Sequence, residues 1–293
     1  MRDRPAINLF YGGLSQNAAR IYAQVNSLPG GAEWSFRGTV RGPRNTLGHT
    51  LPASFSFRDL GAGPSLLAEA LVTEPCFWSA KLPALYDVSL ELCYRGEVQQ
   101  TVTQAHGIRF LGAFGRNLIL EGERWVLRGV SSSSTRAEAL DVWRECSAAM
   151  VVGEPSDELC RRASAEGVWL VASLEESGQT DKLLRRLRTW AAVAVVILPG
   201  EVVAPAELRR IAPNILFAQR WNRANVQLAS WADLVFADVD EPAAFAAVAR
   251  QCPLPLVAVR RLREGCDLAA ARRACDVLQR DLAPGSDCAG YVV

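Results

Sequence analysis

Two rhythms of apolar and polar residues divide the chain. From Ile7 to about Leu111, segments such as ARIYAQVNSLPGG, AEWSFRGTVRGP and YDVSLELCYRGE alternate apolar with polar positions. That is the period of half-buried strands. Turn signals at Pro29-Gly30-Gly31, Gly42-Pro43, Gly61-Ala62-Gly63 and Arg95-Gly96 punctuate them at the spacing of an antiparallel sandwich. Trp34 with Phe36, and Phe55 with Phe57, fall on one face of their strands, the core face. Beyond Leu111 the rhythm changes to short continuous apolar runs at 148–152, 168–172, 193–198, 215–218, 234–237, 256–259 and 289–293. Between them lie segments of helical period, among them DELCRRASAEG, QTDKLLRRLRTWA, NRANVQLASWA and DLAAARRACDVLQRDL. Apolar strands alternating with helices predict a parallel sheet buried on both faces. With a further strand at 125–130 the count reaches eight, which predicts a closed (β/α)8 TIM barrel, with an open doubly wound sheet as the alternative.

The two rhythms meet between Phe77 and Val130. FWSAKLPALYDVSLEL closes the β-domain, with Pro83 ahead of a strand whose apolar face holds Leu85, Val88, Leu90 and Leu92. GIRFLGAFGRNLILEGERWVLRGV then leads into the polar run Ser131 to Ser134, after which Ala137, Leu140 and Trp143 take up helical spacing. Trp125 is expected to be fully buried where the first barrel strand begins, with Arg128 near the end layers of the barrel.

These phrases resemble glycoside hydrolase family 2. Trp78, Pro83 and Leu85-Tyr86 match its W…P.LY phrase, Gly107 to Phe110 its GFR-like phrase, and LEGERWVLRGV (120–130) its approach to barrel strand 1. The resemblance implies an immunoglobulin-like β-sandwich at 1–115 followed by a compact TIM barrel at 116–293. At under 170 residues from Trp125, the barrel is short against a usual size of about 250. Strand 8 reaches Val293. The seam between helices 7 and 1 is therefore expected to be partly uncovered, unless the sandwich or another subunit shields it.

Composition narrows the chemistry. The 293 residues are 49 % hydrophobic and 22 % charged, with a net charge of +1, so no global field favours nucleic acid or an anionic membrane. The apolar run after the charged N-terminus is too short for a signal peptide, and nothing approaches a membrane span. Eight cysteines carry no C-x-x-C pair, and only His49 and His106 exist, so neither a metal site nor another cofactor is expected. Buried thiols in a cytoplasmic protein are the expectation. No phosphate-loop or nucleophile-elbow motif occurs. His106 reads as a core or interdomain histidine, and the RRLR run at 185–188 as a solvated helix face.

In a TIM barrel, function sits at the C-terminal strand ends. The family resemblance implies a retaining mechanism with an acid/base glutamate preceded by asparagine after strand 4, and a nucleophilic glutamate after strand 7; such carboxyls stand about 5–5.5 Å apart. Here Glu201 falls at the acid/base position, but Gly200 precedes it. Arg260 falls at the nucleophile position, where it cannot attack an anomeric carbon and would depress the pKa of a neighbouring Glu201. Ser131 to Ser134 replace the family's polar-histidine loop after strand 1, and Val152-Gly153-Glu154 replace its arginine after strand 2. Glu175, Trp221 and Asp238 are the substrate-binding candidates at other strand ends, and a displaced carboxyl pair among Glu175, Glu201 and Asp238 is the rescue for catalysis. Asp240-Glu241-Pro242 instead reads as the start of a helix. The sequence thus predicts a family 2-like protein without the standard catalytic pair, a pseudoenzyme binding a carbohydrate or protein partner. The alternative is an active glycosidase with relocated carboxylates.

Overall fold

The computed structural model describes residues 5–26, 28, 33–62, 65–133, 139–174, 179–198, 205–221, 227–240, 242–262 and 266–293. The chain forms two compact units, Met1–Arg109 and Phe110–Val293. The division falls before position 115 because strands at 111–114 and 117–120 form one hairpin, which a cut at 115/116 would split.

The first unit holds β1 (Ile7–Ser15), β2 (Ala18–Asn26), β3 (Trp34–Arg44), β4 (Ala53–Ser56), β5 (Arg58–Ala62), β6 (Ser65–Thr73), β7 (Leu85–Tyr94) and β8 (Glu97–His106). They make two four-stranded antiparallel sheets, ordered β1-β2-β6-β5 and β4-β3-β7-β8. Alternation sets the buried faces: Ile21, Ala23 and Val25 on β2, Ala68, Ala70 and Val72 on β6, and Val88, Leu90 and Leu92 on β7. The chain changes sheets at Phe57, whose N–H donates to Gly38 O at 2.9 Å, and Asp59 ties the sheets by accepting from the Phe36 N–H at 2.6 Å. Phe36 and Phe57 are core residues, whereas Trp34 and Phe55 are only half-buried. Gly42-Pro43 is no turn: β3 runs through it, with a register break between Arg41 and Arg44. The phrases that carried the family resemblance meet here. Trp78 and Tyr86 are fully buried, the Trp78 N–H donates to Ile108 O at 2.6 Å, and the Tyr86 hydroxyl accepts from Cys76 N–H at 2.8 Å. His106 lies in the core of this unit, edge-on to Tyr11.

The second unit begins with β9 (Leu111–Phe114), β10 (Asn117–Leu120) and β11 (Glu123–Trp125), a small antiparallel sheet. Eight parallel strands follow: β12 (Leu127–Ser132), β13 (Ala149–Val152), β14 (Leu170–Ser173), β15 (Val193–Leu198), β16 (Leu216–Trp221), β17 (Leu234–Asp238), β18 (Leu256–Val259) and β19 (Gly290–Val292). They close into a barrel in sequence order, with β12 paired to β19. Trp125 therefore belongs to β11, not to the first barrel strand. It is half-buried rather than fully buried, its ring 5.2 Å from that of Trp169 just before β14. Arg124 pairs with Asp287 and Arg116 donates to Ala249 O, so this sheet lies across the N-terminal end of the barrel.

Six helices are described: α1 (Leu140–Glu145), α2 (Asp157–Glu166), α3 (Thr180–Leu187), α4 (Pro205–Ile211), α5 (Pro242–Gln251) and α6 (Leu268–Leu282). Local chemistry starts them where the sequence suggests. Ser156 and Asp267 cap α2 and α6 by accepting from Leu159 N–H and Ala270 N–H, and Pro205 and Pro242 open α4 and α5. The helix expected after β16 is absent among the described residues: Gln227 to Asp233 are irregular.

Register divides each barrel strand into two faces. Leu127, Gly129, Val151, Val257, Gly290 and Val292 face the axis, where a Cβ on Gly129 would meet Val292 Cγ2 at 2.8 Å and one on Gly290 would meet Leu127 Cβ at 2.7 Å. Val130, Val235, Ala237, Leu256, Ala258 and Tyr291 face outward, into a cluster with Phe245 and Val248 of α5 and Cys275 and Leu278 of α6. The seam expected to be partly uncovered is covered by α6 along β12 and β19, and a cleft remains between α6 and α1. Helix α6 packs on β12 and β19, and Tyr291 and Val293 are buried beneath it. Cys275 Sγ donates to Gly129 O at 3.3 Å. Arg128, mostly buried, points out of the barrel to Asp276 at 3.1 Å and to Gln279, with its guanidinium 5.1 Å over the Tyr291 ring.

Closure should thus be sensitive to single methyl groups at the axis. Gly290→Ala is expected to destabilise the barrel by at least about 2 kcal/mol, because the contact is with Leu127 backbone and Cβ rather than a flexible tip, whereas Gly112→Ala, with open space at its Cβ, should be near neutral; urea unfolding of both variants checks the contrast. At the seam, burial alone would raise the Asp276 carboxyl, but hydrogen bonds from Arg272 and Arg128 outweigh it and hold its pKa below the ordinary value. A depressed carboxyl stabilises the fold above its unfolded pKa, near 3.9, and loses that contribution as pH falls through the folded value. The stability gap between wild type and Asp276→Asn should therefore be widest at neutral pH and shrink as pH drops below about 4. A gap that grows on acidification would reverse the sign.

Candidate functional site

Face parity decides which strand-end residues look into the barrel mouth. Following the register around the sheet, the C-terminal positions on the axial face are Ser131, Val151, Ser173, Ile197, Arg220, Asp238, Val259 and Val292. The mouth therefore carries two hydroxyls, one cation and one carboxylate from described strand ends. Asp238 is half-buried and accepts the Asp240 N–H at 2.9 Å, a local turn that fixes its side chain at the end of β17.

Of the residues singled out from sequence, Glu201 and Glu175 lie outside the described residues. Trp221 ends β16 on the outward face, half-buried against the outer cluster. Asp238 faces the mouth. Arg260 follows β18 on the outward parity of Leu256 and Ala258; its N–H donates to Val292 O at 2.9 Å and its guanidinium bonds Asp281 of α6 at 3.2 Å. Its charge is thus partly met on the helix side of the barrel. The axial position nearest this strand end is Val259, and the next residue of that parity is Arg261. Neither is a carboxylate. Sequence reasoning passed over Arg261 because it placed Arg260 by counting the family's strand-7 phrase from Pro255; the in-out alternation of β18 is the signal that distinguishes the two arginines.

A cleft of about 900 Å3 opens beside the mouth. Ser131, Ser132, Val130 and Val293 line it, with Trp143 of α1 and Leu268 of α6. Arg220, Arg260 and Arg261 also line it. Since Arg220 comes from the opposite side of the barrel, the cleft runs from the upper seam into the mouth.

Metal and thiol chemistry find no support among the described residues. No cluster of His, Cys, Asp and Glu could hold a metal ion there. All eight cysteines are free. Burial pushes the Cys160 thiol up to about 12 and that of Cys275 up to about 11, the reverse of what a nucleophile requires. No described helix is long and apolar enough to cross a membrane.

Comparison with known proteins gives a fold. No family model and no curated protein matches the sequence. Solved structures do. Over 98 % of this chain, a Bacteroides uniformis beta-glucuronidase is similar at TM-score 0.65 and 13 % identity, with 45 % of its length covered. A glycosyl hydrolase family 2 member from Bacteroides cellulosilyticus matches at TM-score 0.66 and 13 % identity, again over 98 % of this chain and 43 % of its own. A putative beta-galactosidase from Bacteroides fragilis matches at TM-score 0.59 and 17 % identity, over 98 % of this chain and 54 % of its own. The chain therefore spans about half the length of these structures. At such identities the likeness is one of fold, and the fold is that of glycoside hydrolase family 2 structures.

Gln219 ties the end of β16 to the irregular segment Gln227 to Asp233. Buried on the outward face, its amide donates to Gln227 O at 2.9 Å and accepts from Ala229 N–H at 2.8 Å. Those bonds satisfy backbone groups that a helix would have satisfied internally. Gln219→Met keeps the bulk and removes both bonds, so a loss of about 2–3 kcal/mol in urea unfolding is expected. A loss below about 1 kcal/mol would mean that water serves the segment equally well.

Proposed function

We propose that this chain is a glycoside hydrolase-like protein that binds a carbohydrate or protein partner without hydrolysing glycosides by a paired-carboxylate route. The observation that carries the reading is the end of β18. There the family resemblance calls for a nucleophilic glutamate, but the axial residue is Val259, the next of its parity is Arg261, and Arg260 is engaged with Asp281. A retaining mechanism needs a carboxylate at that point to form the glycosyl-enzyme bond, and neither valine nor arginine supplies one. The two antiparallel sheets of Met1–Arg109 are, on this proposal, the immunoglobulin-like sandwich that precedes such barrels. Eight free thiols fit a reducing, cytoplasmic setting.

Asp238 supports a second reading. As the carboxylate facing the mouth among the described strand ends, it could serve with Glu175 or Glu201 as a relocated pair in a working glycosidase. The two readings part on turnover and on labelling. The binding protein should release no 4-nitrophenol from β-glucuronide, β-galactoside or β-glucoside substrates above a heat-treated control. It should also take up no label from 2-fluoro or aziridine glycosides, while glycan-array or affinity-column binding survives. Burst release with label mapped to Asp238, Glu175 or Glu201 would falsify the non-hydrolytic reading and establish the other.

A further inference from the structure

Among the described residues, the cleft beside the mouth is charged in one sense. Arg220, Arg260 and Arg261 line it, and none of the described lining residues is a carboxylate. Among the described residues Arg260 has an acidic partner, Asp281, which lies outside the lining, and no ion pair is seen for Arg220 or Arg261. Guanidinium groups stay protonated at any physiological pH, so the cations held in this concavity cannot relieve their repulsion by losing a proton. An anion relieves it. Apolar residues line it too, among them Trp143 and Leu268, together with the serines Ser131 and Ser132. A volume near 900 Å3 suits an organic molecule rather than a bare ion.

We propose that this cleft is a binding site for a small organic acid, a carboxylate or phosphate ester whose apolar body packs against Trp143 and Leu268. The arginine fork is geometrically matched to both oxyanions, and the paired N–H donors fix the head group toward the mouth. The proposal does not depend on the mouth binding sugar, because it rests on the charge and shape of the cleft alone.

Isosteric probes test it on the full chain by calorimetry and thermal shift: 4-nitrobenzoate, 4-nitrophenyl phosphate and the neutral 4-nitrobenzamide. At least one anion should bind and raise the melting temperature while the amide does not, and the tighter of the two anions identifies the head group. Raising the salt should weaken that binding. In Arg220→Gln/Arg261→Gln the dissociation constant should rise about tenfold or more, as expected on losing charge-assisted hydrogen bonds. Both arginines are exposed, so circular dichroism should be unchanged. Should the double variant misfold, Arg261→Lys decides, since it keeps the charge, loses the fork and should bind several-fold more weakly. Failure of both anions to bind, equal binding of the amide, or unchanged binding by the folded variants overturns the proposal. None of these outcomes bears on glycoside turnover.

Discussion

Everything in the second unit depends on the meeting of its first and last barrel strands. Buried strand edges need partners for every N–H and C=O, and β19 is only three residues long. It succeeds because both neighbours are used to the full. Leu127 and Ser131 donate to Ala289 O and Val293 O on one side, and Arg260 donates to Val292 O on the other. The approach is so close that the axial positions Gly129 and Gly290 have no room for a Cβ. Two missing methyl groups are what let eight strands become a ring.

Closure in turn dictates where α6 goes. A ring leaves β12 and β19 apolar on the outside, and α6 covers both, with Cys275 against the Gly129 carbonyl and Arg128 folded over Tyr291. The buried arginine lets a polar helix face sit on the strand pair without stranding its carboxylate: Asp276 accepts from Arg128 and Arg272. The upper end of the seam is left open, and the cleft lies there. The site is thus a remainder of packing, bounded by what α6 cannot reach and furnished by strand-end side chains.

How much of this was legible beforehand follows from the physics of each signal. The strands were, because buried parallel strands are written as uninterrupted apolar runs such as VAVVIL (193–198), and the start of α5 was, because Pro242 acts locally. The irregular course of Gln227 to Asp233 was not, since NRANVQLASWA has helical period and Gln219, a residue of the preceding strand, holds the described part of that segment. Trp125 was misplaced because an apolar triplet reads alike at the end of a hairpin and at the start of a barrel strand. Parity at Arg260 and Arg261 could have been read, but only once the inward set of β18 was fixed by its neighbours. How far α6 would cover the seam was invisible, because the direction a helix takes across a sheet is a tertiary choice.

The pairing of β12 with β19 also bears on how the molecule is assembled in time. Neighbouring strands meet through short connections, but this one ladder joins the two ends of the barrel's sequence, and so carries the greatest loop-closure entropy. Until it forms, β12 and β19 are open edges of a curling sheet, the kind of surface on which another chain can pair. The bonds from α6 to β12 span nearly the same distance in sequence, so they act as a latch available to the final kinetic step rather than to the early ones. Changes at Arg128 or Cys275 would on this view leave the speed of early collapse alone and lengthen the life of the aggregation-prone open form.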